Sequence, residues 1–432
     1  MNLTLRDGIV IAAVIAGVLV LMLVVRVVAG RFGISAEGKR KLIHVATGLA
    51  SLSFPFLFDN PLPVLVLMSL AIGVMLVLRL PQAAALGAVL HDVKRPSWGE
   101  VYLALAIVIV FFHAHGDPVL YVLPMLVITL SDTASALVGT SYGRRRFAVE
   151  EGTKSWEGVV AFFVVTWLVA MVTLLLLSDA PRLNVIILSL LIAAFCALVE
   201  ADSWQGLDNL FVPVGAHLLL VQHIGSDPPA LIAAGMVFLA FLGLMRIFGT
   251  SLGVTQRAAR GYAILLFLVI SSVSLHNAVL PVLAILAQLV ARTIRPGASQ
   301  RPDLNLLAVS AICALGWLVV GELAGKSVVS LFGLTFAAAG IGFLALACVA
   351  WWRLLLIPAA AALCVLTLWV EAANLPYSRF FMPGYPVVLL AFALPAAWAL
   401  WQPRWFDTHR SVKIFAPALL VPLALFAQGA MA

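Results

Sequence analysis

Long apolar runs follow one another from one end of this chain to the other, and they constrain its fold more than any other feature. Bounded by proline, glycine and charge, they occupy 8–28, 42–58, 62–80, 101–115, 118–138, 158–177, 184–200, 210–223, 230–246, 261–277, 279–291, 304–321, 328–350, 354–371, 384–401 and 412–428. An α-helix of about 20 apolar residues crosses the hydrocarbon of a bilayer. The runs therefore predict an all-α fold, a polytopic integral membrane protein of about 14–16 transmembrane helices. Composition agrees. A soluble domain carries roughly 25% charged residues, whereas this 432-residue chain has 10%, against 63% hydrophobic. The first run is too long for the core of a signal peptide and has no A-x-A cleavage site, so it is expected to stay as the first helix.

The net charge of +7 could point to a nucleic-acid partner. Basic residues gathered in cytoplasmic loops explain it better, and no nucleic-acid partner is expected. With the N-terminus outside and sixteen spans, only Arg6, Arg182, Lys326 and Arg379 of the 26 basic residues fall outside the inner loops and the helix ends beside them. Reading 261–291 as one helix kinked at Pro281 would invert every later loop and destroy this asymmetry, so two helices are predicted there. Cys196, Cys313, Cys348 and Cys364 each lie in an apolar run without CxxC spacing and read as small buried residues.

The two halves differ. Up to about residue 215 the inner loops mix carboxylates, glycines and basic residues; beyond it they are short and basic with few acids. Gly225-Ser226-Asp227-Pro228-Pro229 offers a boundary, giving 1–228 as one membrane domain and 229–432 as a second helical region of unassigned role.

Four inner segments of the first half could carry chemistry. In Glu37-Gly38-Lys39-Arg40-Lys41-Leu42-Ile43-His44, the spacing puts Arg40, Lys41 and His44 on one helix face. Such a face can bind phosphate oxygens, although alone it reads more readily as an ordinary basic membrane edge. In Ser131-Asp132-Thr133-Ala134-Ser135-Ala136-Leu137-Val138-Gly139, Asp132 lies inside a span. A carboxylate there is costly unless it faces a cavity, a cation or a partner, and the small neighbours let backbone or ligand approach. Next comes Gly143-Arg144-Arg145-Arg146, then Gly152-Thr153-Lys154-Ser155-Trp156-Glu157-Gly158. Ser155 can cap the following helix and Glu157 can favour its dipole, which leaves Lys154 available to phosphate at a helix N-terminus. Finally, Glu200-Ala201-Asp202-Ser203-Trp204-Gln205-Gly206-Leu207-Asp208-Asn209 groups acids and an amide without a basic residue, a composition that suits Mg²⁺ shared with substrate phosphates. Basic groups, carboxylates and a buried aspartate on one side of the membrane are the parts of phosphoryl or nucleotidyl transfer.

In order and spacing, Arg40-Lys41-x-x-His44, Ser131-Asp132-x-x-x-Ala136-x-x-Gly139-x-x-x-Gly143, Lys154-Ser155-x-Glu157-Gly158 and Glu200…Asp208-Asn209-x-x-x-Pro213 resemble the CTP-dependent polyprenol kinase family. That family includes dolichol, phytol and diacylglycerol kinases, and the resemblance covers about residues 35–220. It implies transfer of the γ-phosphoryl group of CTP to a long-chain lipid alcohol, with Mg²⁺ as cofactor. It also implies that Asp132, Lys154 and Glu157 are catalytic and that Arg40, Lys41, His44, Lys154 and Ser155 bind the nucleotide phosphates. Asp132, Glu200 and Asp208 would hold the metal, with Ser131, Gly139, Gly143 and Asn209 completing the site. Asp132 could equally accept the hydroxyl proton. Ser131 departs from the glycine usual before the aspartate but keeps the residue small. The phosphatidate cytidylyltransferases are more distantly similar; their histidine, arginine and second aspartate are missing at Asp208–Pro213. The expected partners are a lipid alcohol, CTP and membrane lipids, in a cell inner or plasma membrane with the site facing the cytoplasm. A transporter or flippase of anionic lipids is the alternative from another class, but no paired broken helices in two related halves support it.

Overall fold

The computed structural model describes residues 3–32, 36–78, 98–149, 152–348, 350–375 and 384–431. Arg79, Lys94 and Arg95, which the charge asymmetry assigns to inner loops, and Arg379, which it assigns to an outer one, are not among them. Each apolar run contains a helix. Among the described residues, ten helices are long and apolar enough to cross a membrane, and Pro61–Val77, Gly99–His113 and Tyr385–Trp401 are shorter apolar helices. The remaining predicted spans form the more polar helices Ala36–Ser51, Asp208–His223 and Gln256–Ser272. The protein is all-α and multi-pass.

The chain divides into two compact units, Met1–Gly235 and Met236–Ala432. The division falls within a helix, Pro228–Ser251, and not in the Ser-Asp-Pro-Pro turn before it. In the first unit the order is α1 (Leu5–Phe32), α2 (Ala36–Ser51), α3 (Pro61–Leu78), α4 (Gly99–His113), α5 (Pro118–Tyr142), α6 (Trp156–Leu177), α7 (Arg182–Asp202) and α8 (Asp208–His223). α6 packs against α5 and α7, α8 against α4, α5 and α7, and α2 and α3 against α1. α7 is the most enclosed of these spans. Its Leu188, Ile192, Phe195 and Val199 are all buried, and phenylalanine at 195 fills the space that the missing side chain of Gly215 leaves on α8.

Two departures from regular helix shape the polar end of this unit. Within α5, Val127–Ser131 forms a π-helical turn, and the α-helix resumes at Asp132. Such a turn inserts a residue and re-aims the side chains after it. Between α5 and α6 the chain forms a small antiparallel hairpin, β1 (Arg146–Val149) paired with β2 (Gly152–Ser155). The sequence pattern leads one to expect a loop there. Gly152 turns the hairpin at φ 139°, a value that side chains disfavour.

In the second unit, Val329–Ala347 is buried almost all round and packs against Val279–Ile294, Tyr385–Trp401 and Arg410–Met431. A helix that is apolar on every face suits such a central place. Gln256–Ser272 and Val279–Ile294 are separate helices joined by a short 3₁₀ turn, Leu275–Ala278. The two-helix reading of this region therefore describes the chain.

Candidate active site

The first unit gathers its charged groups where the ends of α2, α5, β2, α7 and α8 meet. Asp132, just after the π turn, is 6% exposed. Its Oδ2 accepts a bond from Lys41 Nζ at 2.5 Å and lies 3.4 Å from His44 Nε2. Lys41 and His44 share a face of α2 because they are three residues apart. His44 also reaches Ile128 O, at 3.4 Å, inside the π turn. Opening the helix there frees a carbonyl for a side chain on another element. A buried carboxylate stripped of water is tolerable only with such partners.

On the other flank, Lys154 extends from β2 to α7. It donates to Glu200 Oε1 at 2.9 Å and to the Glu200 carbonyl oxygen. Burial alone would lower the pKa of this amine. The nearby carboxylates of Glu200 and Asp208 outweigh that and raise it above its ordinary value, so Lys154 is a cation throughout the neutral range.

The carboxylates of Asp132, Glu200 and Asp208 complete the arrangement. One oxygen from each lies within 4.8 Å of the other two. Asp132 and Glu200 are buried and Asp208 is partly so. Carboxylates this close are ionised together only beside compensating cations, and Lys41, Arg40 and Lys154 stand near them. Two buried acceptors also lack a hydrogen-bond partner among the described residues, Glu200 Oε2 and Asn209 Oδ1. Orphaned oxygens beside clustered carboxylates fit a hard divalent cation, which takes oxygen ligands of this kind. Asp132, Glu200 and Asp208 are the residues that would hold it.

The other sequence candidates occupy supporting positions. Ser155 Oγ accepts from Gly158 N–H at 3.1 Å and so caps α6. Gly139, Gly143 and Gly158 surround that serine. A side-chain carbon on Gly139 would stand 3.1 Å from Ser155 Oγ, and one on Gly158 3.0 Å from Ser135 O. Their smallness lets α5, the hairpin and α6 close together, which positions Lys154. Ser131 is fully buried and accepts from Thr166 Oγ1 at 2.9 Å. Thr166 lies in the mostly apolar body of α6, and no local sequence pattern marks it. Glu157 differs from the other acids. Its carboxylate accepts the Arg145 backbone N–H at 3.1 Å, tying the hairpin to the first turn of α6, and it is not one of the three clustered carboxylates.

Arg40, His44 and Asn209 also line a narrow cavity of about 120 Å³. The rest of its wall is mainly apolar, with Val18, Met22, Phe54, Leu67 and Leu103 contributed by α1 to α4 and the turn after α2. His44 touches Asp132 and Asn209 follows Asp208, so the polar end of this cavity adjoins the carboxylate cluster. Glu100 also lines it; nothing in the sequence around it singles it out. Chemically, the arrangement sets an apolar wall beside two ammonium groups and a potential metal centre.

A phytol kinase from Synechocystis sp. is 32% identical to this chain over 189 residues, a match that covers 43% of the chain and 78% of that protein. No protein-family model matches the chain, and no solved structure matches it.

Proposed function

The chain belongs to the phytol kinase-like family, lipid-alcohol kinases of the membrane, and from that premise we propose that its first unit transfers the γ-phosphoryl group of CTP to a long-chain isoprenoid alcohol of the phytol, polyprenol or dolichol type. Kinase activity implies a phosphoryl donor and an alcohol acceptor. The observation that carries the finer reading is the adjacency of the apolar cavity to the Asp132, Glu200 and Asp208 cluster through His44 and Asn209. The alcohol's chain lies along the cavity's apolar wall, and its hydroxyl reaches the polar end.

In this reading the hydroxyl oxygen forms a bond to the γ-phosphorus, the bond to the β-phosphate oxygen breaks, and CDP leaves. Mg²⁺ held by the three carboxylates would neutralise phosphate charge when bound. Lys154, held on the rigid hairpin, stabilises charge on the transferred group, as preorganised cations do best in a dry site. Arg40 and Lys41 orient the nucleotide phosphates, and Ser155 acts through the placement of Lys154. Asp132 has one carboxylate oxygen engaged by Lys41. The other is available to the metal or to the hydroxyl proton. With the N-terminus outside, CTP enters from the cytoplasm.

The deciding experiment supplies purified protein with γ-labelled CTP and a panel of lipid alcohols. Labelled lipid monophosphate and CDP are expected, lost on chelation and restored by Mg²⁺. Pyrophosphate and a CDP-lipid as main products would refute phosphoryl transfer, and label from ATP but not CTP would refute the donor.

A further inference from the structure

The second unit contains a cavity of its own, of about 580 Å³, and its wall carries more polar groups than that of the first. Arg292, Arg410, Gln288, Asn305, Ser411 and Asp407 are among its lining residues. They come from three separated stretches of the chain, and several are buried. Arg410 is 6% exposed, Ser411 4% and Gln288 1%.

The charges do not cancel. Arg292 pairs with Asp303 and also donates to the carbonyls of Leu252 and Gly253. Asp407 is taken by Arg295 Nε at 3.1 Å. Arg410, by contrast, donates to two backbone carbonyls, Arg295 O at 2.7 Å and Phe406 O at 3.4 Å. Among the described residues it has no carboxylate within ion-pair distance. A buried guanidinium without an anion is expensive. Gln288 Oε1, in the same wall, is buried without a hydrogen-bond partner; this oxygen can only accept, from a protonated phosphate oxygen, while the N–H₂ of the same amide is the group that can donate to an ionised one.

Two helix N-termini add to the positive side of the balance. Pro302–Ala324 and Arg410–Met431 both begin at this wall, at Pro302 and Arg410. Free backbone N–H groups and the positive end of the helix dipole favour an anion there. The planar fork of arginine matches the oxygens of a phosphoryl group. The cavity is also much larger than a bare ion needs. We propose that this cavity in the second unit binds a phosphate monoester through Arg410, with Gln288 and Ser411 as hydrogen-bonding partners. The phosphoryl group is either a lipid headgroup or part of a soluble molecule. The site is separate from the candidate active site and does not depend on the kinase reading.

The test uses the full chain in lipid nanodiscs and carries Lys154→Ala, which weakens phosphate binding at the first unit. Calorimetry then measures inorganic phosphate and, separately, a long-chain alkyl phosphate. Saturable binding is expected, and Arg410→Gln should weaken it at least about tenfold, the loss of one charge-assisted contact. Gln288→Leu preserves volume and removes the orphaned oxygen, so it should fold even if Arg410→Gln does not. It is expected to weaken binding severalfold. Binding of both ligands assigns the phosphoryl group as sufficient, and binding of the alkyl phosphate alone assigns a lipid headgroup. No saturable binding of either ligand overturns the proposal, as does a Kd that Gln288→Leu and any folded Arg410→Gln protein leave unchanged.

Discussion

Asp132 and Lys154 have different partners, and that difference can be tested. Asp132 is neutralised by Lys41, while Lys154 faces Glu200 and Asp208. Removing one member of a buried ion pair typically costs about 3–5 kcal/mol because the other is left unpaired. Asp132→Asn is therefore expected to lower both turnover and melting temperature. Adding Lys41→Met should recover much of the stability and none of the turnover. Lys154→Ala also breaks a buried pair, with Glu200, and should lower the melting temperature too; in the protein that remains folded it should cut kcat on the order of hundredfold or more, the usual loss for a preorganised electrostatic donor. Turnover per folded molecule, measured beside thermal unfolding, separates the roles. Near-parental turnover in folded Lys154→Ala and Asp132→Asn proteins would refute the site assignment. These residues are visible in sequence because charge in or beside an apolar run is expensive and needs a reason. Their pairing is not visible. Lys41 and Asp132 are 91 positions apart, and no local pattern encodes such a contact.

Elements show where sequence reading succeeds and where it stops. Apolar runs announce helices because the bilayer requires long apolar stretches, and every run here contains one. The hairpin gave no such signal: β1 and β2 have four residues each, too few for alternation to stand out. The π turn before Asp132 is equally silent, since it depends on how α5 meets α2 and α6. The glycines were legible as small but not as a group. Gly139 and Gly158 face each other across Ser155, and that closeness belongs to the assembled hairpin and helices. Gly158→Ala would place a carbon 3.0 Å from Ser135 O and 3.2 Å from Ser155 Oγ. Overpacking of this kind usually costs about 1–3 kcal/mol. A lowered melting temperature is expected, together with a fall in turnover as Lys154 shifts on its strand. Unchanged unfolding would mean that α5 and α6 can separate without penalty, and the hairpin would then not be what positions the lysine.

At the scale of the whole molecule, the strongest expectation is that the candidate site opens to one side of the membrane, the cytoplasmic one. α6 runs from Trp156 to Leu177 and α7 returns from Arg182 to Asp202. Lys154, before the first, meets Glu200, near the end of the second, as two antiparallel crossings require. The turn between them, with Asp179, then belongs to the opposite side. Gly152 and Gly206 both hold positive φ, so cysteine at either would be strained. Thr153 and Gln205 are better probes: both are exposed, and Gln205 already carries a side chain at φ 55°. In a background without the four native cysteines, Thr153→Cys and Gln205→Cys should resist an impermeant thiol reagent in intact cells and react once the membrane is opened. Asp179→Cys should react from outside. Labelling of Thr153→Cys and Gln205→Cys from outside would invert the topology. Opposite labelling of those two would do more, because it would separate Lys154 from the Glu200–Asp208 segment and dismantle the proposed site.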